Sequence, residues 1–356
     1  MTKMETINLN NSKIAIISDL HLGVHTNSSF WHTTATEWAG WLRDELTKQK
    51  ITDIIFCGDW HHNRSEISVS TLQISADILD ILKDFNLIAI AGNHDMFFKT
   101  RTDVNSLSIF KNRKNITIVD TDIAVINYEG KTLSLCPWNT SIEEIPKSTA
   151  IFGHFEIETF SMNAYKMCSE GIKTKDLLSK SPIVFSGHFH IRQQKNYNQG
   201  TVIYIGNPFQ MDFGDIDNDK GYYIFDINTS EYNFIKNTIS PQYKKISISQ
   251  LIDIDEFSED IKQTFFNNII KLKVDKNIDQ KDIDKLLHKL HTLSPAELTI
   301  DYDINLNRLI VDVDEKQDLS GIDIEQAIHE FVNLLDIKNK TDIIDYTTEL
   351  YRRCMI

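Results

Sequence analysis

The sequence predicts a layered α+β protein with a small α/β module and a helical tail behind its main domain. Three observations predict it. Short apolar runs alternate with amphipathic helical stretches in the first half, then mostly strands follow to about residue 238. From Ser240 the pattern changes to strand, helix, strand, and then to two amphipathic helices. Finally, five apolar runs end in a glycine or small residue followed by His, Asp or Asn. These are the carboxyl ends of predicted strands, where open α/β sheets gather their ligands.

Bulk properties narrow the class. At 356 residues the chain is long enough for one large domain or a few modest ones with a substantial core. Its 41% hydrophobic and 25% charged residues are an ordinary globular composition, which excludes global disorder. The opening MTKMETINLNN has no apolar signal core, and no later run approaches membrane-spanning length. Cys57, Cys136, Cys168 and Cys354 show no CxxC spacing, which argues against disulfides and structural zinc. A cytoplasmic protein with no membrane partner is expected. The net charge of -14 argues against tight nucleic-acid binding by the chain alone. It does not exclude nucleic acid as a substrate, because bound cations can reverse the sign locally.

Taken in order, Ile14–Ile17 predicts a buried strand leading into Ser18, Asp19, Leu20 and His21. Ser29 to Lys50 predicts a helix with Trp31, Trp38, Trp41, Leu42 and Leu46 near one face, read as core. Ile51–Cys57 predicts a strand ending in Gly58, Asp59, Trp60, His61 and His62. A helix capped by Ser68 or Ser70 is expected through Phe85. Leu87–Ala91 then leads into Gly92, Asn93, His94 and Asp95. Strands follow at Ile116–Val119, Ile123–Ile126 and Thr132–Leu135, and Ala150–Phe152 leads into Gly153, His154, Phe155 and Glu156.

A short helix at Lys173–Ser179 precedes the strand Ile183–Ser186, which runs out into Gly187, His188 and His190. Thr201–Ile205, Tyr222–Ile227 and Tyr232–Ile235 read as strands of a second sheet. The later module comprises Ile269–Val274, a helix Gln280–Leu293, Glu297–Tyr302 and a further strand at Leu309–Val313. The tail predicts helices Ile324–Leu335 and Asp342–Cys354 joined by the polar turn DIKNK. The expected domains are 1–238, 239–315 and 316–356.

Histidines two apart share one side of an extended segment, and on a loop past the end of a strand both can turn to one point. With Asp19 and His21, Asp59, Asn93 and His154, they offer imidazole, carboxylate and amide donors that suit Mn²⁺, Fe²⁺ or Zn²⁺. There are too many donors for one ion, so two ions sharing a carboxylate are the economical reading. Such pairs, about 3.5–4 Å apart, clamp the attacking and leaving oxygens of a displacement at phosphorus. Only Asp19 and Asp59 among these donors are anionic. Two dications would therefore leave a local positive surplus able to draw a phosphate into an acidic protein.

The ordered set DxH, GD, GNHD, GH and GHxH resembles the calcineurin-like metallophosphoesterase superfamily. The resemblance implies a β-sandwich flanked by helices, the metallophosphoesterase fold. It implies one ion held by Asp19, His21, Asp59 and His190. The other would be held by Asp59, Asn93, His154 and His188, with Asp59 bridging. His94 would position the phosphate or protonate the leaving oxygen, and His62 would support it.

Within the superfamily, SDLHLG at Ser18–Gly23, GDWHH and YIGNPFQMDFG followed by KGYYIFD are most similar to SbcD-type DNA repair nucleases. The likeness extends especially to bacteriophage recombination-nuclease subunits. It implies Mn²⁺ preference with Mg²⁺ as the alternative, DNA exonuclease and endonuclease action, and an SMC-like SbcC-type ATPase partner. It also implies a capping, DNA-gripping second module, an ATPase-binding helix pair, a homodimer and, for a phage protein, the host cytoplasm. The dimer would form through helices near Ser70–Phe85 and after Asp95. Gly206-Asn207-Pro208 departs from the Gly-Ser pair and following arginine of many cellular members, which touches DNA contacts and not the metal set.

Two other functions fit less well. A phosphatase or small-phosphodiester enzyme would share the metal set, but GDWHHNRSE lacks the Arg-Gly that phosphoprotein phosphatases carry. A purely architectural subunit would not need every donor. His25, His32 and His329 read as structural, and His61 as incidental. His288 and His291 read as part of a lysine-rich solvated face with Lys281, Lys285 and Lys289.

Overall fold

The computed structural model describes residues 7–163, 166–275, 278–302, 324–334 and 339–354. Its strands are β1 (Lys13–Ile17), β2 (Asp53–Cys57), β3 (Asn86–Ile90), β4 (Ile116–Val119), β5 (Ala124–Tyr128), β6 (Lys131–Cys136), β7 (Ala150–His154) and β8 (Ile183–Gly187). They continue with β9 (Gln193–Tyr197), β10 (Gly200–Tyr204), β11 (Gly221–Asp226) and β12 (Glu231–Lys236).

One sheet has the order β12-β11-β1-β2-β3-β4 and the other β5-β6-β7-β8-β10-β9. Each carries a parallel block, β1 to β4 in the first and β6, β7, β8, β10 in the second. Strand alternation then makes three layers of core. Ile14, Ile16, Ile55 and Ile88 meet Leu133, Leu135, Phe152, Phe185 and Phe225 between the sheets. On the outer face of the first sheet, Ala15, Ile54, Phe56 and Leu87 pack on Trp38, Leu42, Ile78 and Leu79 of two helices. On the outer face of the second, Ile151, Val184 and Val202 pack on Leu177, Leu178 and Phe160. Strands buried on both faces are why these segments read as unbroken apolar runs.

The helices follow local chemistry. Ser29–Gln49 stops at Lys50, which takes a left-handed turn at φ 56°. Ser68 caps Val69–Ile81 by accepting from Thr71 N at 3.1 Å. That helix ends four residues before the expected Phe85. The tryptophan stripe is core, with Trp31 and Trp38 buried and Trp41 packed against the same cluster.

One placement is corrected. Thr201–Ile205 does contribute β10 to the second sheet, but Tyr222–Ile227 and Tyr232–Ile235 return to the first. There β11 runs antiparallel to β1, with Ile14 opposite Phe225 and Ile16 opposite Tyr223. Its Tyr223 and Phe225 fill the layer between the sheets while Tyr222 and Ile224 fill the helix side. A strand apolar on both faces needs both layers, and the edge beside β1 supplies them.

A third sheet, β13 (Tyr243–Ser247), β14 (Ile269–Val274) and β15 (Glu297–Tyr302), is all parallel in that order. Helices Glu259–Phe265 and Gln280–His291 bury Phe265, Ile283, Leu286 and Leu290 against Ile270 and Leu272. Tyr243 and Ile269 also join the core around Trp31. β13 and the Glu259–Phe265 helix were not expected from sequence, and Leu309–Val313 lies outside the described residues. The tail forms helices Ile324–Leu334 and Lys340–Cys354, in contact with each other, with Arg352 paired to Glu325. Val332 and Ile344 are buried, whereas Phe331, Tyr346 and Leu350 are exposed. Most of the connecting turn is not among the described residues. No helix among the described residues is long and apolar enough to cross a membrane.

Candidate active site

Because the parallel strands of both sheets point the same way at the sandwich edge, the turns after β1, β2, β3, β7 and β8 meet. Backbone bonds knit them together: Asp19 N donates to Gly58 O at 2.9 Å, and His21 N to Asp59 O at 3.0 Å. Ser18 Oγ donates to Cys57 O at 2.9 Å across the same strand pair. The turns are sharp enough that Asp19, His21, Asp59 and His188 take positive φ, from 46° to 93°. Non-glycine residues rarely do so, and strain of this kind collects at functional sites. Glycine is required where the turns touch. A Cβ on Gly187 would drive into Ser18 Oγ and the Cys57 carbonyl, and one on Gly58 into the His154 ring.

All nine sequence-predicted site residues come together here. Asp19, His21 and His190 bring donor atoms within 4.8 Å of one another, and so do Asp59, His154 and His188. Asp59 lies between the groups, its Oδ2 3.6 Å from His21 Nε2 and 3.3 Å from His154 Nε2. Asn93 Oδ1 is 2.8 Å from His154 Nε2 and 2.9 Å from His188 Nδ1. His21, His62 and His94 form a third overlapping group. His94 N donates to Asp59 Oδ1 at 2.8 Å, and its Nδ1 donates to the His62 carbonyl at 2.6 Å. That leaves His94 Nε2 free. The His62 ring stacks on His94 at 5.6 Å.

This donor set fits cations. His154 Nδ1 faces Cys57 O at 2.8 Å, and its Nε2 faces both Asn93 Oδ1 and Asp59 Oδ2, so three acceptors surround two nitrogens. His21 Nε2 and His190 Nε2 are 2.9 Å apart, and the buried His21 Nδ1 has no partner. Lone pairs converge here with too few protons to share among them.

Electrostatics agree. Burial would lower His154, but the Asp59 carboxylate outweighs it and raises the imidazole to about 9. Burial would likewise raise Asp59, and His154 holds it well below the usual carboxylate range. Burial, then the charge on His154, lowers His188 to about 3. Burial, with His190 adding to it, lowers His21. Burial raises Asp19.

The calcineurin-like phosphoesterase superfamily domain matches residues 13–230 of this chain, a span that holds every one of these turns. The chain belongs to that superfamily. As a calcineurin-like phosphoesterase it is a metal-dependent phosphoesterase, and the superfamily works with divalent ions. It is similar to exonuclease subunit 1 of Enterobacteria phage T4, 26% identical over 358 residues that take in 95% of this chain and 98% of that protein. Among solved structures it is similar to an archaeal phosphodiesterase, with 15% identity, 63% of this chain and 99% of that chain covered, and a TM-score of 0.36. A dimetal phosphatase from Danio rerio shows 10% identity over 60% of this chain and 91% of its own, with a TM-score of 0.38.

Sequence reasoning missed three contributors to this phosphoesterase site. Trp138, half-buried in the loop after β6, lays its indole 5.0 Å from the His188 ring and 5.9 Å from that of His154. Nothing in the run CPWNT signals this. Lys220 and Asp95 act through backbone groups. Asp95 is 1% exposed and accepts from Asp59 N and Gly92 N on one oxygen, and from Trp60 N and His61 N on the other, at 2.9–3.2 Å. It fixes the Asp59 and Asn93 turns to each other. Burial and the charge on Asp59 push its carboxyl up to about 7.

Asp95→Asn presents an NH₂ group to two of those donors. Each orphaned buried donor costs about 1–3 kcal/mol, so for two donors a loss of roughly 2–6 kcal/mol is expected. Denaturant unfolding of the metal-free protein reads it, and an unchanged midpoint contradicts the role. His61 lies outside the donor groups, buried and bonded to Ser75 Oγ and Ser106 Oγ. His25 and His32 bond Met211 O and Thr71 Oγ1, and His288 and His291 are exposed.

Proposed function

We propose that this chain is the nuclease subunit of a DNA-processing complex, hydrolysing phosphodiester bonds with two divalent ions, Mn²⁺ preferred and Mg²⁺ the alternative. The observation that carries the reading is Asp59 standing between two donor groups in a chain similar over 95% of its length to a phage exonuclease subunit. Asp19, His21, Asp59 and His190 would hold one ion. Asp59, Asn93, His154 and His188 would hold the other. When bound, such ions supply Lewis acidity at the phosphoryl oxygens and activate water.

The chain's own residues do the rest. Asp95 and the His62 carbonyl fix Asp59 and His94 in place. With Nδ1 donating to that carbonyl, His94 turns Nε2 outward, and only as the imidazolium would it carry there a proton for the leaving oxygen. His62 backs the His94 ring, and Trp138 walls His188 from one side. Residues 239–315 serve as the capping, DNA-gripping domain. The helix pair within 316–356 docks an SMC-like, SbcC-type ATPase, with the exposed Phe331, Tyr346 and Leu350 as contacts. A homodimer and a role in double-strand-break processing or recombination complete the reading, in the host cytoplasm for a phage protein. Exposed Val69 and Leu72 on one helix, and Phe97 and Phe98 after Asp95, are where the second copy would sit.

The test is cleavage of end-labelled linear duplex DNA in Mn²⁺, alone and with the ATPase, beside a small phosphodiester. Mn²⁺-dependent nucleotide release supports the reading. An intact duplex in both arms, with brisk hydrolysis of the small diester, would replace it by small-molecule phosphodiesterase action.

A further inference from the structure

The stretch from Gly206 to Lys220 forms a bracket behind the loop that carries His188 and His190. Lys220 is only 5% exposed, and its head group is paired with Asp215 inside the fold. Its ammonium donates to Asp215 Oδ1 and to the His190 backbone carbonyl, both at 2.6 Å. Asp215 is also buried, and its second oxygen accepts from Asn207 Nδ2 at 3.0 Å and Met211 N at 2.9 Å. Asn207 N donates to the same His190 carbonyl at 3.3 Å. Gly206, at φ +75°, approaches so closely that a Cβ there would sit 2.7 Å from it.

Three residues thus converge on one carbonyl, while at the other end of that residue His190 Nε2 lies 2.9 Å from His21 Nε2. An ammonium in the interior is unfavourable unless paired and hydrogen-bonded. A neutral side chain could fill the space without that cost. What the charge adds is a short, directional bond to one backbone atom.

We propose that Lys220 is a positioning residue for the metal centre: through the His190 carbonyl it fixes the loop presenting His188 and His190, and so sets metal affinity. The inference rests on reading those two histidines as ligands. It explains why IGNPFQMDFGD and KG occur together in one stretch. The first supplies the acceptor and the close-packed turn, the second the donor.

The experiment is Mn²⁺ binding to the full chain, followed by the electron paramagnetic resonance signal of the free ion. Wild type, Lys220→Met and Lys220→Arg are compared, with hydrolysis measured over a range of Mn²⁺. Losing an outer partner of a metal ligand typically weakens binding about 10–100-fold, and that is the expected rise in dissociation constant for Lys220→Met. Saturating Mn²⁺ should restore most of the rate, and arginine most of the affinity. If Lys220→Met does not fold, Lys220→Met with Asp215→Asn removes both charges and is judged by the same measure. A folded variant that binds Mn²⁺ as wild type does overturns the inference, as does a lost rate that saturating Mn²⁺ leaves unrestored. Wild type that binds no Mn²⁺ overturns the metal reading itself, and this inference with it.

Discussion

Asp59→Asn is expected to lower kcat/KM for phosphodiester hydrolysis in Mn²⁺ at least a thousandfold, about 4 kcal/mol of transition-state stabilisation. The reason is geometric. Its carboxylate reaches both donor groups, at 3.6 Å from His21 Nε2 and 3.3 Å from His154 Nε2, and no other anionic side chain in the site does. An amide keeps the shape and the bond from His94 N but removes the charge two ions would share. The same carboxylate raises His154 to about 9, so without metal that imidazole is protonated at neutral pH.

A metal needs the neutral ring, so loading at pH 7 displaces a proton. Mn²⁺ affinity should therefore rise with pH up to about 9 and level above it. In Asp59→Asn, where the source of the shift is gone, most of that slope should vanish. Titrations from pH 6 to 9 read both effects. Activity within tenfold of wild type, or a pH-independent affinity, contradicts the assignment.

His94→Gln is expected to lower kcat about 10²–10⁴-fold while leaving Mn²⁺ affinity within about twofold. Glutamine can keep a hydrogen bond near the His62 carbonyl but has no proton to give. A chemically activated diester separates proton donation from mere placement. With a nitrophenolate leaving group, which departs without protonation, the loss should shrink to tenfold or less. An equal loss on activated and unactivated diesters would assign His94 to holding the phosphate, and a large fall in Mn²⁺ affinity would make it a ligand.

The site was legible because its chemistry is punctuated. Apolar runs buried on both faces mark β1, β2, β3, β7 and β8, and each ends in a turn whose glycine or small residue and ligand types are visible in sequence. What escaped was whatever acts at long range or through the backbone. QQKNY is an exposed edge strand with no apolar rhythm, so β9 left no mark. That β11 returns beside β1 depends on a pairing about two hundred residues apart in sequence, which periodicity does not encode. Asp95 follows the GNH run in plain sight, yet its work is on four backbone N–H groups. Lys220 reads as a surface lysine until the fold closes over it. Trp138 looks like one more core aromatic, and only the loop after β6 turns it onto His188.

The measurement that bears most directly on the two-ion centre is anomalous diffraction at the manganese edge from crystals grown in Mn²⁺. The expected result is two peaks about 3.5–4 Å apart, one beside Asp19, His21 and His190, the other beside Asn93, His154 and His188, with Asp59 touching both. A single peak, or a pair that Asp59 does not bridge, would contradict the account at its centre.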